Sequence, residues 1–182
     1  MWEFIEKTFD NYFKIKPIWI LISILVGLIF YVGIKFLKPK TSKLNKVVIP
    51  LTACYVFLVL SYMVLSRHAT GIHKYELNPF FTYQFMAVNH SLITSAVLNA
   101  VLFMPIGFLF PFITKSYRKA IIYGVIFSAV IEVLQLITTT GHFELDDAFH
   151  NIIGLCIGVF VCHQVRKAYF KRHPRRRHHH SC

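Results

Sequence analysis

Five stretches of the chain stay uncharged, or nearly so, for long enough to cross a lipid bilayer. A crossing helix needs roughly 20 mainly apolar residues, because it rises about 1.5 Å per residue through hydrocarbon about 30 Å thick. Residues 17–34, between Lys16 and Lys35, form the first stretch, and residues 47–66, between Lys46 and Arg67, the second. The third covers 92–113, and the fourth covers 120–140 with a single carboxylate, Glu132, inside it. The fifth covers 149–165, just beyond Asp147 and ending before Arg166. This pattern predicts an all-α protein, a polytopic membrane helix bundle of about five transmembrane helices. Pro105, Gly107 and Pro111 are expected to kink the third span, which neighbouring helices can repair. Gly154 and Gly158 make a GxxxG face on the fifth, read as packing within the bundle.

The cations orient these spans. Of the 20 Lys and Arg residues, 15 fall in three places: Lys35 to Lys46, Lys115 to Lys119, and Arg166 to Arg177. The positive-inside rule puts those loops in the cytoplasm, with the N-terminus outside and the C-terminus inside. Five spans satisfy every loop, whereas four or six would place a basic cluster outside. Residues 1–16 mix Glu3, Glu6 and Asp10 with Lys7, Lys14 and Lys16, unlike the basic start of a cleaved signal peptide. Trp2, Phe4, Ile5, Phe9 and Phe13 there are expected to form one face of an interfacial helix. The expected organisation has three parts. Residues 1–46 hold the interfacial segment, the first span and a basic loop. Residues 47–165 form a four-helix transmembrane domain. Residues 166–182 form a basic cytoplasmic tail, whose Arg175–Arg177 and His178–His180 are expected to lie against anionic lipid headgroups.

Composition sharpens this picture. The chain has 182 residues, 55% hydrophobic and 15% charged, against about 25% charged in a typical soluble domain. Its mean hydropathy is +0.54. A net charge of +12 by itself would suggest a nucleic-acid partner, but the cations sit in short runs between apolar stretches, so none is expected. Cys54, Cys156 and Cys162 lie in apolar runs and read as small hydrophobes. Cys182 is the last residue and cannot open a prenylation box. No Rossmann, P-loop or zinc signature is present, so no cofactor is expected.

The residues that hydrocarbon should exclude carry the functional information. An ionised carboxylate at the depth of Glu132 costs several kcal/mol unless it is paired or hydrated, and Gln135 follows it one turn later. Asn99 lies roughly 10 Å below the outer end of the third span, and Glu132 roughly 12 Å below that of the fourth, at about 1.5 Å per residue. Arg67 and His68 mark the same end of the second span, and the last loop supplies His142, Glu144, Asp146 and Asp147. His150 and Asn151 follow one turn after the two aspartates. Each has a plainer structural reading: Asp146 or Asp147 as a helix N-cap, Asn99 and Asn151 as interhelical hydrogen bonds, Glu132 clamped to Arg67, and His142 and His150 as interfacial histidines. Tyr75, Phe80, Phe81, Tyr83 and Phe85 read as an aromatic belt. The shared depth favours a hydrated pocket open to the outer leaflet, lined by Arg67, Asn99, Glu132, Gln135, Asp146, Asp147 and Asn151.

The order of these residues resembles a known family. Asn99-Ala-Val-Leu-Phe103-Met-Pro105-Ile-Gly107 resembles the N-x-x-x-F-x-P-x-G signature of VanZ-like membrane proteins. Glu132-Val-Leu-Gln135 is similar to that family's E-x-x-Q, and Asp146-Asp147-Ala-Phe-His-Asn151-Ile-Ile-Gly154 to its D-D-x-x-x-N-x-x-G. Arg67 and Asn78-Pro79-Phe80 also fit, so the likeness spans roughly 48–165. Glu144 and His142 depart from it, standing where the family more often has Asp and Arg. The resemblance implies a bacterial inner-membrane protein, linked in some members to low-level resistance to teicoplanin-type lipoglycopeptides.

Two classes of function follow. In the first, the pocket binds a lipid-like head group without chemistry. In the second, the protein is a membrane enzyme acting on a lipid-linked envelope precursor. Glu132 would then be the general acid or base, Asp146 and Asp147 would hold a divalent cation, and Arg67 a phosphate. No nucleophile elbow, HExxH or Gly-rich phosphate loop accompanies them, which favours the first. A structural partner role in a larger complex rests only on the Gly154/Gly158 face.

Overall fold

The computed structural model describes residues 15–38, 40–67, 69, 71, 73–76, 78, 80, 83–84 and 90–172. The expectations for residues 1–14, for His68, Phe81 and Phe85, and for the histidine-rich tail lie outside these residues. Five helices are long and apolar enough to span a membrane: α1 (Pro17–Leu37), α2 (Lys43–Leu60, continuing as a π-turn over Ser61–Leu65), α3 (His90–Thr114), α4 (Tyr117–Thr138) and α5 (Leu145–Arg172). Two three-residue strands, β1 (Lys74–Glu76) and β2 (His142–Glu144), lie in the connections. The helices overlie the predicted spans, with α5 beginning at Leu145 and so including the aspartate pair.

Local chemistry sets the helix ends. Pro17 opens α1, where a fixed φ and a missing N–H cost nothing. Ser42 and Ser116 cap α2 and α4 by accepting hydrogen bonds from the N–H groups of Asn45 (3.2 Å) and Lys119 (3.4 Å). At the far end of α4 the chain turns through Thr139 in the left-handed region (φ 53°). The Thr139 and Thr140 N–H groups then return to the carbonyls of Leu136 and Gln135, the paired bonds of a Schellman stop. Pro105 and Pro111 both lie inside the continuous helix α3. Nearby, the Tyr55 hydroxyl of α2 donates to the Leu102 carbonyl at 3.0 Å.

In lipid, apolar side chains gain little by leaving hydrocarbon for each other, so helices associate through close backbone approach and interhelical hydrogen bonds. The pairing of α3 with α5 is the most extensive in the bundle, and glycines make it. A Cβ at Gly154 would overlap the Ala100 carbonyl oxygen, one at Gly158 the Met104 carbonyl oxygen, and one at Gly107 the Leu155 carbonyl oxygen. The GxxxG face is therefore occupied within the chain, which removes the one feature offered for a partner complex. The two helices run in the same direction, with α4 returning between them in sequence. Helix α1 packs on α2 alone among the larger contacts, through Ser23 and Gly27. Its Leu21, Leu25 and Ile29 stay exposed for lipid, as do Ile122 on α4 and Phe160 on α5.

Replacing Gly154 or Gly158 by valine is expected to cost about 3 kcal/mol or more, as in other overpacked interiors. Thermal unfolding of the purified protein in detergent measures this. Gly33, around which a Cβ meets nothing within 4 Å, provides the control. Alanine there should leave stability unchanged or raise it by up to about 1 kcal/mol.

Candidate functional site

The buried faces of three helices change character along their length in the same way. On α4 the buried stripe begins with Ala120 and Gly124 and continues with Ser128, Glu132 and Gln135. On α5 it begins with Asp146, His150 and Asn151 and continues with Gly154, Leu155 and Gly158. On α3 buried Asn99 precedes buried Phe103 and Ile106. Because α4 runs against α3 and α5, the polar parts of all three stripes meet at one end of the bundle. That end is opposite the basic segments Lys35–Lys46 and Lys115–Lys119.

Glu132 is 1% exposed, as is Gln135, and Asn151 is fully buried. The amide nitrogen of Asn151 donates to the Ser128 hydroxyl at 3.0 Å, tying α5 to α4 one turn below Glu132. The amide nitrogen of Gln135 donates at 3.0 Å to the carbonyl of Met63, in the π-turn that ends α2. The last carbonyls of a helix have no partner of their own, so Gln135 finishes α2 from another span. Asp147 lies beside Asn99, with Arg67, His150 and Asp146 as its charged neighbours. Glu132 in turn has Asp147, Glu144 and Arg67 around it, and its Oε2 accepts a long hydrogen bond (3.4 Å) from the Glu144 N–H. Arg67 is exposed, yet its guanidinium folds back over the last loop: a Cβ at Gly141 would stand 3.2 Å from Arg67 Nη1 and 3.3 Å from Gln135 Cδ.

The long connection between α2 and α3 is tied across this end. Strands β1 and β2 pair in parallel, with Tyr75 opposite Phe143 and Glu76 opposite Glu144. The Asp146 carboxylate accepts the Phe80 N–H at 2.8 Å, holding Phe80 at a positive φ of 67°. The Phe80 ring packs against Phe149 and Tyr83. The Tyr83 hydroxyl pairs with His150 Nε2 at 2.9 Å. His73 Nδ1 and the Gly71 N–H bond to the Leu136 carbonyl and the Thr139 hydroxyl respectively. Aromatic residues read as a belt are thus partly a cover over the polar end: Phe80 and Tyr83 hold this place while remaining exposed on their outer faces.

These contacts bring together all seven residues expected to line a pocket, though in different ways. Asn99, Glu132, Gln135 and Asn151 are the buried members. Asp147 lies beside both Asn99 and Glu132, Asp146 anchors the covering loop, and exposed Arg67 lies next to them. Arg67 is a neighbour of both Glu132 and Asp147 rather than a dedicated clamp on Glu132. His150, read as an interfacial histidine, is instead 5% exposed and belongs to the site. Ser128 and the backbone of Met63 join it without having been expected there. Ser128 had a signal, since it lies one turn before Glu132 on the same face. The π-turn had none, because it leaves no mark on hydropathy.

Some polar atoms in this region have no hydrogen-bond partner among the described residues. They are Glu132 Oε1, Gln135 Oε1, His150 Nδ1 and Asn151 Oδ1. Buried polar atoms are rarely left so, and here four of them lie at one end of the bundle.

The family model described as VanZ/LLP1 matches residues 18–166. The chain belongs to the VanZ/LLP1 family. The match takes in α1 as well as the motifs on α3, α4 and α5, and so extends further toward the N-terminus than the motifs themselves. Neither the curated proteins nor the solved structures compared with the chain gave a match. Together with the five apolar helices, this membership makes it a multi-pass membrane protein of the VanZ type.

The bond from Gln135 to Met63 is the most exacting of the interhelical contacts. Gln135→Leu leaves that buried carbonyl without its donor and is expected to lower stability by about 1–3 kcal/mol. The shift in thermal unfolding midpoint in detergent, compared with that of Gln84→Leu at an exposed position, reads the effect.

Proposed function

We propose that this VanZ-type protein binds the polar head of a lipid-like amphiphile in the Glu132 chamber, and so lowers the action of teicoplanin-type lipoglycopeptides. The cation distribution supports an orientation with the chamber facing outward from the bacterial cytoplasmic membrane. An amphiphile in the outer leaflet then has its head level with Arg67 and its tail alongside the exposed rings of Phe80 and Tyr83. The carrying observation is the set of unpartnered atoms on Glu132, Gln135 and Asn151, all at least nine-tenths buried. Folding has already stripped water from these atoms, and a bound head group offsets that cost.

Binding is favoured over turnover by the surroundings of Ser128, a buried hydroxyl of the site. The Ser128 hydroxyl accepts from the Asn151 amide, which cannot take a proton as an activating base would. The enzyme reading rests on Glu132 as acid or base.

The test expresses Glu132→Gln and Asn151→Ala at membrane levels equal to the parent and measures lipoglycopeptide susceptibility. Each removes a buried polar contact, worth about tenfold in ligand affinity, and should return susceptibility toward that of cells without the protein. Equal protection by both variants removes the chamber from the function. Mass spectra of envelope lipids from cells with and without the protein should be the same for a binder, whereas a changed lipid species would establish turnover.

A further inference from the structure

The buried stripe of α5 does not stop where its apolar residues do. Leu155, Val159 and Cys162 are buried at spacings of four and three residues, and the next position on that stripe is Arg166. It is half-buried, whereas Lys167, Lys171 and Arg172 on the same helix are exposed. Its guanidinium carbon lies 5.5 Å from the centre of the Phe112 ring on α3 and 5.8 Å from that of Tyr117 on α4. Tyr117 in turn meets His163 of α5 edge-on, with ring centres 5.3 Å apart. One cation thus joins the ends of three helices.

Ring faces attract a cation, but they do not satisfy its five N–H donors as an oxygen does. Among the described residues none supplies that oxygen to the Arg166 side chain. The carboxylates of the bundle are out of reach. Glu132 stands 15 residues along α4 from Tyr117, about 22 Å by helical rise. Asp147 stands 19 residues along α5 from Arg166, about 28 Å by the same measure. The neighbours in sequence are basic instead: Lys115, Arg118 and Lys119 lie within two residues of Tyr117, and Lys167 follows Arg166.

Depth identifies the anion that this cation meets. Arg166 is the first charge after residues 148–165, and Lys115 the first after residues 77–114. Both stand where their helices leave hydrocarbon, level with lipid headgroups. A phosphodiester matches the planar guanidinium fork through two parallel hydrogen bonds. The surrounding cations repel the ammonium of a zwitterionic head, so a head with net negative charge is favoured. Val161 and Val165, exposed on α5 beside the buried stripe, offer its chains an apolar wall. We propose that Arg166 anchors a binding site for one anionic phospholipid where the ends of α3, α4 and α5 meet. This site is at the opposite end of the bundle from the Glu132 chamber and stands or falls without it.

The test titrates the full-length protein calorimetrically, in nonionic detergent, with dioctanoylphosphatidylglycerol, dioctanoylphosphatidylcholine and inorganic phosphate. The anionic lipid should bind about tenfold or more tightly than either of the others. Arg166→Lys keeps the charge but removes the fork, and should weaken that binding by about tenfold. The same change at exposed Arg172 should leave the affinity as it is. Phe112→Leu takes away one ring while keeping every charge, and should weaken binding by about threefold. Unchanged affinity in Arg166→Lys, or in Phe112→Leu where the first variant does not fold, overturns the site and leaves Arg166 a clamp on the helix ends. Equal losses at Arg166 and Arg172 overturn it too, since diffuse charge then attracts the lipid. Phosphatidylcholine binding as tightly as phosphatidylglycerol overturns the anionic preference. Inorganic phosphate binding as tightly as the lipid overturns the lipid and leaves a soluble phosphate.

Discussion

The close backbone contact between α3 and α5 is the constraint on which the remaining geometry depends. Hydrocarbon gives apolar side chains no reason to prefer one another, so register must come from shape. Gly107, Gly154 and Gly158 each bring one backbone against a carbonyl of the other helix, where a single added methyl would not fit. Sliding one helix by a turn would replace these contacts with Cβ-bearing residues. Once the register is set, Asp147 has to lie beside Asn99, and Asn151 has to reach Ser128 on the neighbouring helix. The positions of the polar groups are therefore determined by residues that carry no chemistry at all.

A division of labour along each helix follows. Toward the basic end, small and apolar residues hold the bundle together. Toward the other end, the same buried stripes carry groups that would destabilise any bundle packed tightly around them. Interhelical bonds answer some of that demand, with Ser128 meeting Asn151 and Met63 meeting Gln135. The covering loop answers more of it, through Phe80 on Asp146 and Tyr83 on His150. What is still unanswered lies on Glu132, Gln135, His150 and Asn151.

Much of this was legible in the sequence, because charge is strongly disfavoured in hydrocarbon. Uncharged runs marked all five helices, and the rarity of Glu132 within one of them marked the site. Equal depth counted in residues grouped Asn99 with Glu132, and the motif order identified the VanZ resemblance. Three things escaped. His150 is next to an aspartate pair and close to a helix start, so its local sequence suits a headgroup position. Its burial comes with the tertiary contact to Tyr83. The β1–β2 pairing joins segments some 68 residues apart through backbone groups alone, leaving no alternating pattern over three residues. The π-turn at Ser61–Leu65 differs from an α-helix by one residue per hydrogen-bonded ring, a change invisible to periodicity over so short a segment.

The bond from Gln135 to the Met63 carbonyl spans 72 residues, and this has a bearing on biosynthesis. At translation rates of about 5–20 residues per second, several seconds separate the moment when the second helix is threaded from the arrival of its finishing donor. The terminal turn of that helix must meanwhile rely on solvent or translocon groups at its end. Nascent chains halted before the fourth helix should therefore expose Met63 to quality control. The last turn of α2 and the polar end of the bundle are then completed together, by the arrival of α4.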